Sequence, residues 1–159
     1  MTIVMNKKRK ELNVSALRNG TVIDHIPAEN TFQVIKILRL ENSESQIYIG
    51  NHLESKKFGT KGIIKISDKY FEKDEINKIS LAAPSATLIE IKDYEVVNKA
   101  KVEIPENIEK IVRCFNPKCV TNNQDVETKF KVITDHHGRM KLKCHYCEKT
   151  MAQDSIEFI

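Results

Sequence analysis

The chain has 159 residues, with 26 Lys plus Arg against 22 Asp plus Glu, four Cys and no Trp. Four of the positive charges stand together at Lys7, Lys8, Arg9 and Lys10, and without them the remainder balances at 22 against 22. A neutral body with 6% aromatics argues against a general nucleic-acid binder, which needs a basic face to displace counterions from phosphates.

No stretch approaches the roughly 18 to 20 apolar residues of a membrane-spanning helix. Met1 to Lys10 holds no apolar core of secretory length ahead of its basic run, so a signal peptide is not expected. The expected location is the cytoplasm, where thiols stay reduced and clustered cysteines serve as metal ligands rather than disulfides.

In chain order, residues 1–11 are expected to be a disordered basic tail. Leu12 to Leu17 and Thr21 to Ile26 are short apolar runs separated by Asn19-Gly20, a pair that tolerates positive φ. Phe32, Ile35 and Leu38 follow helical spacing, which predicts a helix over Glu29 to Leu40. Gln46 to Asn51 and Gly62 to Ser67 are rich in β-branched residues and predict strands. Ile76, Ile79 and Ala83 predict a second helix over Glu72 to Ala83, stopped by Pro84. Ala86 to Lys92 and Tyr94 to Asn98 predict further strands. The order is that of the split βαβ, ferredoxin-like pattern, an antiparallel sheet with both helices on one face.

A charged, proline-containing stretch, Lys99 to Glu109, then precedes the first cysteine. It sets the expected division into a ferredoxin-like domain over 12–104 and a small all-β domain over 105–159, an α+β chain overall. In the second part Ile111 to Cys114, Thr128 to Thr134, Met140 to Cys144 and Ser155 to Ile159 predict strands. About 50 residues with few large apolar groups cannot be held by a core alone, so a staple is required.

All four cysteines lie here, as Cys114-x4-Cys119 and Cys144-x2-Cys147 separated by 24 residues. Two close pairs can bring four thiolates around one tetrahedral Zn²⁺, closed to water and substrate and therefore structural. The competing readings are two disulfides, unlinked buried thiols, or an iron–sulfur cluster, which uses similar ligands. His136, His137 and His145 lie close in sequence, but four sulfurs already complete a set.

Neither common phosphate-cradling fingerprint, G-x-x-x-x-G-K-[ST] or G-x-G-x-x-G, is present. Asp24-His25 is the one conceivable acid/base pair, and neighbours on a regular strand point to opposite faces. Recognition is the expected role there, not catalysis.

Asn19 to Ala28 (NGTVIDHIPA), Ile49-Gly50, Ile64-Lys65-Ile66, Ala83-Pro84, Tyr94-Glu95-Val96-Val97, Cys114-x-Asn-Pro-Lys-Cys119 and Cys144-His145-Tyr146-Cys147-Glu148-Lys149 occur in order from about Val14 to the C-terminus. On these the chain resembles the aspartate carbamoyltransferase regulatory chain family. The resemblance implies a non-catalytic subunit with an allosteric domain and a four-cysteine zinc domain that contacts the catalytic chain. It implies regulatory homodimers bridging two catalytic trimers through three such dimers. It also implies feedback control of pyrimidine biosynthesis by CTP, sometimes with UTP, opposed by ATP. By position, the nucleotide site would be lined by Val14, Ala16, Leu17, Val22, Asp24, His25, Lys61, Lys65, Ile91, Tyr94, Val96 and Lys99. Asp24 would accept from ribose hydroxyls or an amine, and the lysines would meet the triphosphate. The metal ligands would be Cys114, Cys119, Cys144 and Cys147. The family usually carries asparagine at Ile89 and often an acidic residue at Ser15. The alternatives from other classes are a zinc-ribbon nucleic-acid or scaffold module, and a small enzyme using Asp24 and His25.

Overall fold

The structure, a computed structural model, describes residues 17–57 and 59–159. The basic tail, most of the Leu12 to Leu17 run, and Val14, Ser15 and Ala16 lie outside the described residues.

The chain starts its first sheet at β1 (Gly20–Ile26), where Val22 and Ile23 are buried. Gly20 has φ 141, and a Cβ there would overlap the Ile66 carbonyl oxygen, so only glycine lets the two strands approach. β2 (Ile47–Ser55), β3 (Gly59–Ser67), β4 (Thr87–Lys92) and β5 (Glu95–Lys101) complete the sheet in the order β2-β3-β1-β4-β5. Every pairing is antiparallel. The four strands β2-β3-β1-β4 are the ferredoxin-like arrangement, with β5 added as an edge.

The crossovers are α1 (Thr31–Ile37) and α2 (Lys73–Ala82). The predicted first helix is shorter than Glu29 to Leu40. Its ends are single 3-10 turns at Ala28–Asn30 and Leu40–Asn42, and Arg39 at φ 53 turns the chain out of the helix. α2 begins with Glu72 as N-cap, in a capping box with Glu75, so two otherwise orphaned amides at its start are satisfied. Val34 of α1 and Ile79 of α2 pack with Ile23, Ile64 and Ile66 in one fully buried core. Among the described residues no helix covers the opposite face of the sheet. α1 also presses on β3 at Gly62, where a Cβ would overlap the buried Thr31 hydroxyl.

β5 ends at Lys101, and Val102 returns to the first core with its N–H donating to the Ala86 carbonyl (3.0 Å). A second sheet follows: β6 (Asn107–Glu109), β8 (Lys129–Thr134), β9 (Met140–Cys144) and β10 (Thr150–Ala152), in the order β10-β9-β8-β6. β7 (Val112–Arg113) pairs with β11 (Glu157–Phe158), and a single turn α3 (Val120–Asn123) follows Cys119. β6, β10 and α3 were not predicted from the sequence.

The second core holds Ile108, Ile111, Val112, Phe130, Leu142 and Met151 together with three cysteines. Leu81, from α2 of the first sheet, is fully buried in this second core, and Gln153 Nε2 donates to its carbonyl (3.1 Å). Phe158 packs against both cores. The two sheets therefore share side chains across their junction.

Candidate functional site

Two constellations are built by this fold. The first is the four-thiol cluster. Cys114 follows β7, Cys119 caps α3, Cys144 ends β9, and Cys147 lies in the turn before β10. Their sulfurs all lie within 4.8 Å of one another, with Cys114–Cys147 and Cys119–Cys144 both at 3.7 Å. A disulfide would hold its sulfurs at about 2.05 Å, so the two-disulfide reading is overturned. Four sulfurs each about 2.3 Å from a tetrahedral centre lie about 3.8 Å apart, close to the observed separation.

The loops are fixed by their own polar residues. Asn122 Nδ2 donates to the Cys114 and Asn116 carbonyls (2.9 and 2.8 Å), and Asn123 Nδ2 to those of Pro117 and Cys119 (2.9 and 2.8 Å). Thr121 Oγ1 donates to Cys119 Sγ (3.2 Å). These asparagines and Thr121 gave no signal in the sequence reading, because their roles depend on where the loop turns back.

Ionisation is divided among the four. Burial pushes the Cys114 thiol up, helped by the adjacent Cys147 thiol, and burial also raises Cys144. At Cys147 burial is outweighed by the Lys149 N–H and the Asn116 side chain, which bring the thiol down to about 7. At Cys119 burial is likewise outweighed, chiefly by the Thr121 hydroxyl and N–H. Four thiolates this close repel unless a cation sits among them, and an all-sulfur tetrahedral set suits Zn²⁺. The donor set fits such an ion, which would close the site and contribute folding free energy. The rings of His136 and His137 lie 3.9 Å apart, tilted by 45°, and His145 packs edge-on against Tyr146. No histidine joins the cluster among the described residues.

The second constellation is the helix-free face of the first sheet. Residues directly opposite in antiparallel strands share a face. The register places Tyr48, Lys65, Val22, Ile89 and Lys99 in one row across β2, β3, β1, β4 and β5. One step along β1, Gly20, Ile91 and Val96 form a second row. One step the other way, Asp24, Thr87 and Lys101 form a third. Lys61 Nζ reaches Asp24 Oδ1 at 2.8 Å from β3. Tyr94 stands at the β4–β5 turn with φ 66, its N–H donating to the Arg18 carbonyl (2.9 Å), and Leu17 is buried just before β1.

The strand alternation expected at Asp24-His25 is broken. His25 has φ 57 within a register shift between Ile23 and Ile26, and its N–H donates to Asp24 Oδ1 (2.6 Å). Its Nδ1 meets Thr87 Oγ1 at 3.1 Å, on the side of the sheet that holds Asp24. The bulge thus brings both side chains to one face. Thr87 was not predicted, because only the register reveals it opposite Asp24. Burial raises the Asp24 carboxyl, but the Lys61 ammonium and the His25 N–H outweigh it and hold Asp24 below the usual carboxylate range. A cleft of about 910 Å³ opens separately at the junction of the two sheets, beside Leu81, Pro84, Ile104 and Phe158, and none of the residues of the open face lines it.

A sheet with one lysine-bearing face that no helix covers among the described residues, joined to a module whose four thiols make up a complete tetrahedral donor set, defines a two-part binding protein. The chain belongs to the aspartate carbamoyltransferase regulatory chain family. Residues 12–103 match the family's allosteric domain and residues 106–157 its metal-binding domain. It is 50% identical over 155 residues to the aspartate carbamoyltransferase regulatory chain of Phocaeicola vulgatus, covering 98% of this chain and 99% of that one. The Bacteroides fragilis regulatory chain is also 50% identical over 155 residues, covering 98% and 100%. That of Pyrococcus abyssi is 47% identical over 148 residues, covering 92% and 96%. The chain is thus a regulatory, non-catalytic subunit with an allosteric and a metal-binding domain. Among the described residues no helix is long and apolar enough to cross a membrane.

Proposed function

We propose that this chain binds CTP and ATP, with UTP alongside CTP, on the helix-free face of its first sheet and transmits their presence to the catalytic chain of aspartate carbamoyltransferase. The observation that carries the reading is the convergence on that face of Val22, Asp24, Lys61, Lys65, Ile91, Val96 and Lys99 from four strands. Backbone and Asp24 would read base and ribose, and Lys61, Lys65 and Lys99 would meet the triphosphate as point charges. Val14, Ala16, Leu17, His25 and Tyr94 would complete the site.

The division falls at about residue 105. The second domain holds one structural Zn²⁺ through Cys114, Cys119, Cys144 and Cys147, and docks on the catalytic chain. Regulatory homodimers then bridge catalytic trimers, three dimers to two trimers, in the cytoplasm, and so govern pyrimidine biosynthesis. Bound nucleotide acts by favouring one of two arrangements of the assembly that differ in nucleotide affinity.

Isothermal titration of CTP and ATP into the full chain tests the site. Saturable binding weakened by Lys65→Ala and Asp24→Asn is the expected result, and no heat at millimolar nucleotide refutes it. Co-purification with the catalytic chain and one zinc per chain test the rest.

A further inference from the structure

Positive charge on the open face of the first sheet extends beyond Lys61, Lys65 and Lys99. The row of Asp24, Thr87 and Lys101 lies one same-face step past the row of Lys65, Val22, Ile89 and Lys99. Residues on one face of a strand repeat about every 7 Å, so Lys101 stands about that far along β5 from Lys99. β5 is exposed along its whole length, and among the described residues no ion pair engages Lys101.

A second lysine meets it from the far edge of the sheet. Lys57 lies in the tight connection between β2 and β3, whose register closes at Ser55 and Gly59. Its amino group comes within hydrogen-bonding reach of that of Lys101, and this contact, with the repulsion of the Lys101 charge, pushes Lys57 below its ordinary value. β2 and β3 form one side of the sheet and β5 the other edge, so the hairpin has to fold across the open face for the two to meet. Register shifts between Gly50 and Leu53 in β2 and between Ile23 and Ile26 in β1 supply the extra twist. Lys61 reaches Asp24 from the same hairpin (2.8 Å). One end of the open face is therefore rimmed by Lys57, Lys61 and Lys101. Two like charges held together cost free energy in the unliganded chain, and an anion seated between them removes that cost.

We infer that Lys57 and Lys101 hold the terminal phosphate of a nucleoside triphosphate and make this face discriminate triphosphates from diphosphates. The inference rests on the proposed binding of nucleotide to the face and gives a role to two residues which that reading leaves unused. The rows set the direction. A base held beside Ile91 and Val96 places the first phosphates over the row of Val22 and the last one over the row of Thr87 and Lys101. A phosphate chain extended along the strands covers one such step. Ile89 offers no hydrogen bond in the middle row, so the far end of the phosphate chain depends on charge from the rim. A lysine ammonium grips a single oxyanion as a point charge, without the planar match that arginine requires. Neither lysine lies in the row of Ile91 and Val96, so the discrimination applies to CTP and ATP alike.

The test is calorimetric titration of CTP and CDP, and of ATP and ADP, into the full chain and its variants. Lys101→Gln is expected to raise the CTP dissociation constant about fivefold, the upper range for an exposed ion pair, and to leave that for CDP unchanged. Combined with Lys57→Gln it is expected to raise the CTP value at least about tenfold and to flatten its salt dependence, again sparing CDP. Lys101→Arg keeps the charge and is expected to keep the preference for triphosphate. Because each glutamine relieves a like-charge contact, the variants are expected to melt no lower than the wild type, which separates lost binding from lost fold. Lys36→Gln, on the exposed side of α1, removes the same charge and is expected to alter neither nucleotide. A wild-type chain that binds CTP no more tightly than CDP, or a double variant that weakens both equally or neither, overturns the role of the lysine pair while leaving the proposed function standing. A wild-type chain that binds none of the four nucleotides overturns the proposed function and this inference together.

Discussion

Removing the metal from the four-thiol cluster is expected to weaken the first sheet as well as unfold the second. The second module has a small core, and structural zinc supplies on the order of 10 kcal/mol in such modules, more than a core of that size can replace. When the module opens, its core no longer covers Leu81, which belongs to α2 and is fully buried there. Exposing one leucine costs about 2 kcal/mol of transfer free energy. The Gln153 contact to the Leu81 carbonyl and the packing of Phe158 against the first core are lost at the same time. For a module of this size, a loss of about 2 kcal/mol lowers the melting midpoint by roughly 8 to 16 °C. Hydrogen exchange read by mass spectrometry, with and without a strong chelator and with zinc counted in parallel, separates the two effects. Amides of β8 and β9 should lose protection outright, and those of β1, β3 and α2 should exchange faster while remaining folded. Two results refute the reasoning: β8 and β9 amides still protected in metal-free chain, or β1 and α2 amides indifferent to the chelator.

Three further outcomes follow from single side chains. Asp24 is held below the ordinary carboxylate range, so its pairing with Lys61 stabilises the fold above about pH 4 and is lost as pH falls through the lowered value. Asp24→Asn should flatten that part of the stability profile in acid denaturation and weaken CTP binding at pH 7; an unchanged acid limb would contradict the assignment. Gly62→Ala should destabilise the chain by roughly 1–3 kcal/mol in urea unfolding, because its methyl group meets the fully buried Thr31 side chain at the start of α1. Ile89 lies between Val22 and Lys99 on the open face, where a branched apolar side chain offers a triphosphate no hydrogen bond. Ile89→Asn should therefore tighten CTP severalfold by calorimetry, and weaker binding would place the triphosphate elsewhere.

What could be read from the sequence depended on how many residues carried each signal. β1, β3 and α2 were legible because Val22-Ile23, Ile63-Ile64-Ile66 and Ile76-Ile79-Ala83 repeat at strand or helix spacing over several positions. β6 and β10 were not, since each is three residues long with a single buried side chain, Ile108 or Met151, too few to show any period. The cysteines were legible from spacing alone, because paired thiols on short loops restrict geometry before any tertiary contact exists. Thr87, Thr121 and Asn122 were invisible for the opposite reason. Each matters through a partner fixed by register or by a loop's return path, and none carries a local signature. The shared burial of Leu81 was equally hidden: two residues after Ile79 it lies off the face marked by Ile76, Ile79 and Ala83, and nothing local says that a second core covers it.

That last ambiguity bears on how a signal could cross the molecule. From Leu81, buried in the second core, the chain runs through Ala82 and Ala83 in the first core, turns at Pro84, and reaches Thr87 on the open face. Thr87 faces Asp24 in the register and meets the His25 ring. The seven residues from Leu81 to Thr87 thus join the face where the effector is proposed to bind to the core that holds the thiols. Close-packed cores transmit small displacements because they cannot absorb them. Coupling needs more than a path: the two arrangements must differ in their free energy of binding to nucleotide. The segment from Leu81 to Thr87 has buried anchors at both ends and one proline between them, so a shift of β4 on ligation would displace Leu81 within the second core and not dissipate in a loose loop. Linkage makes any such coupling reciprocal: if nucleotide at the proposed site alters the affinity for the catalytic chain, the catalytic chain alters the affinity for nucleotide by the same factor.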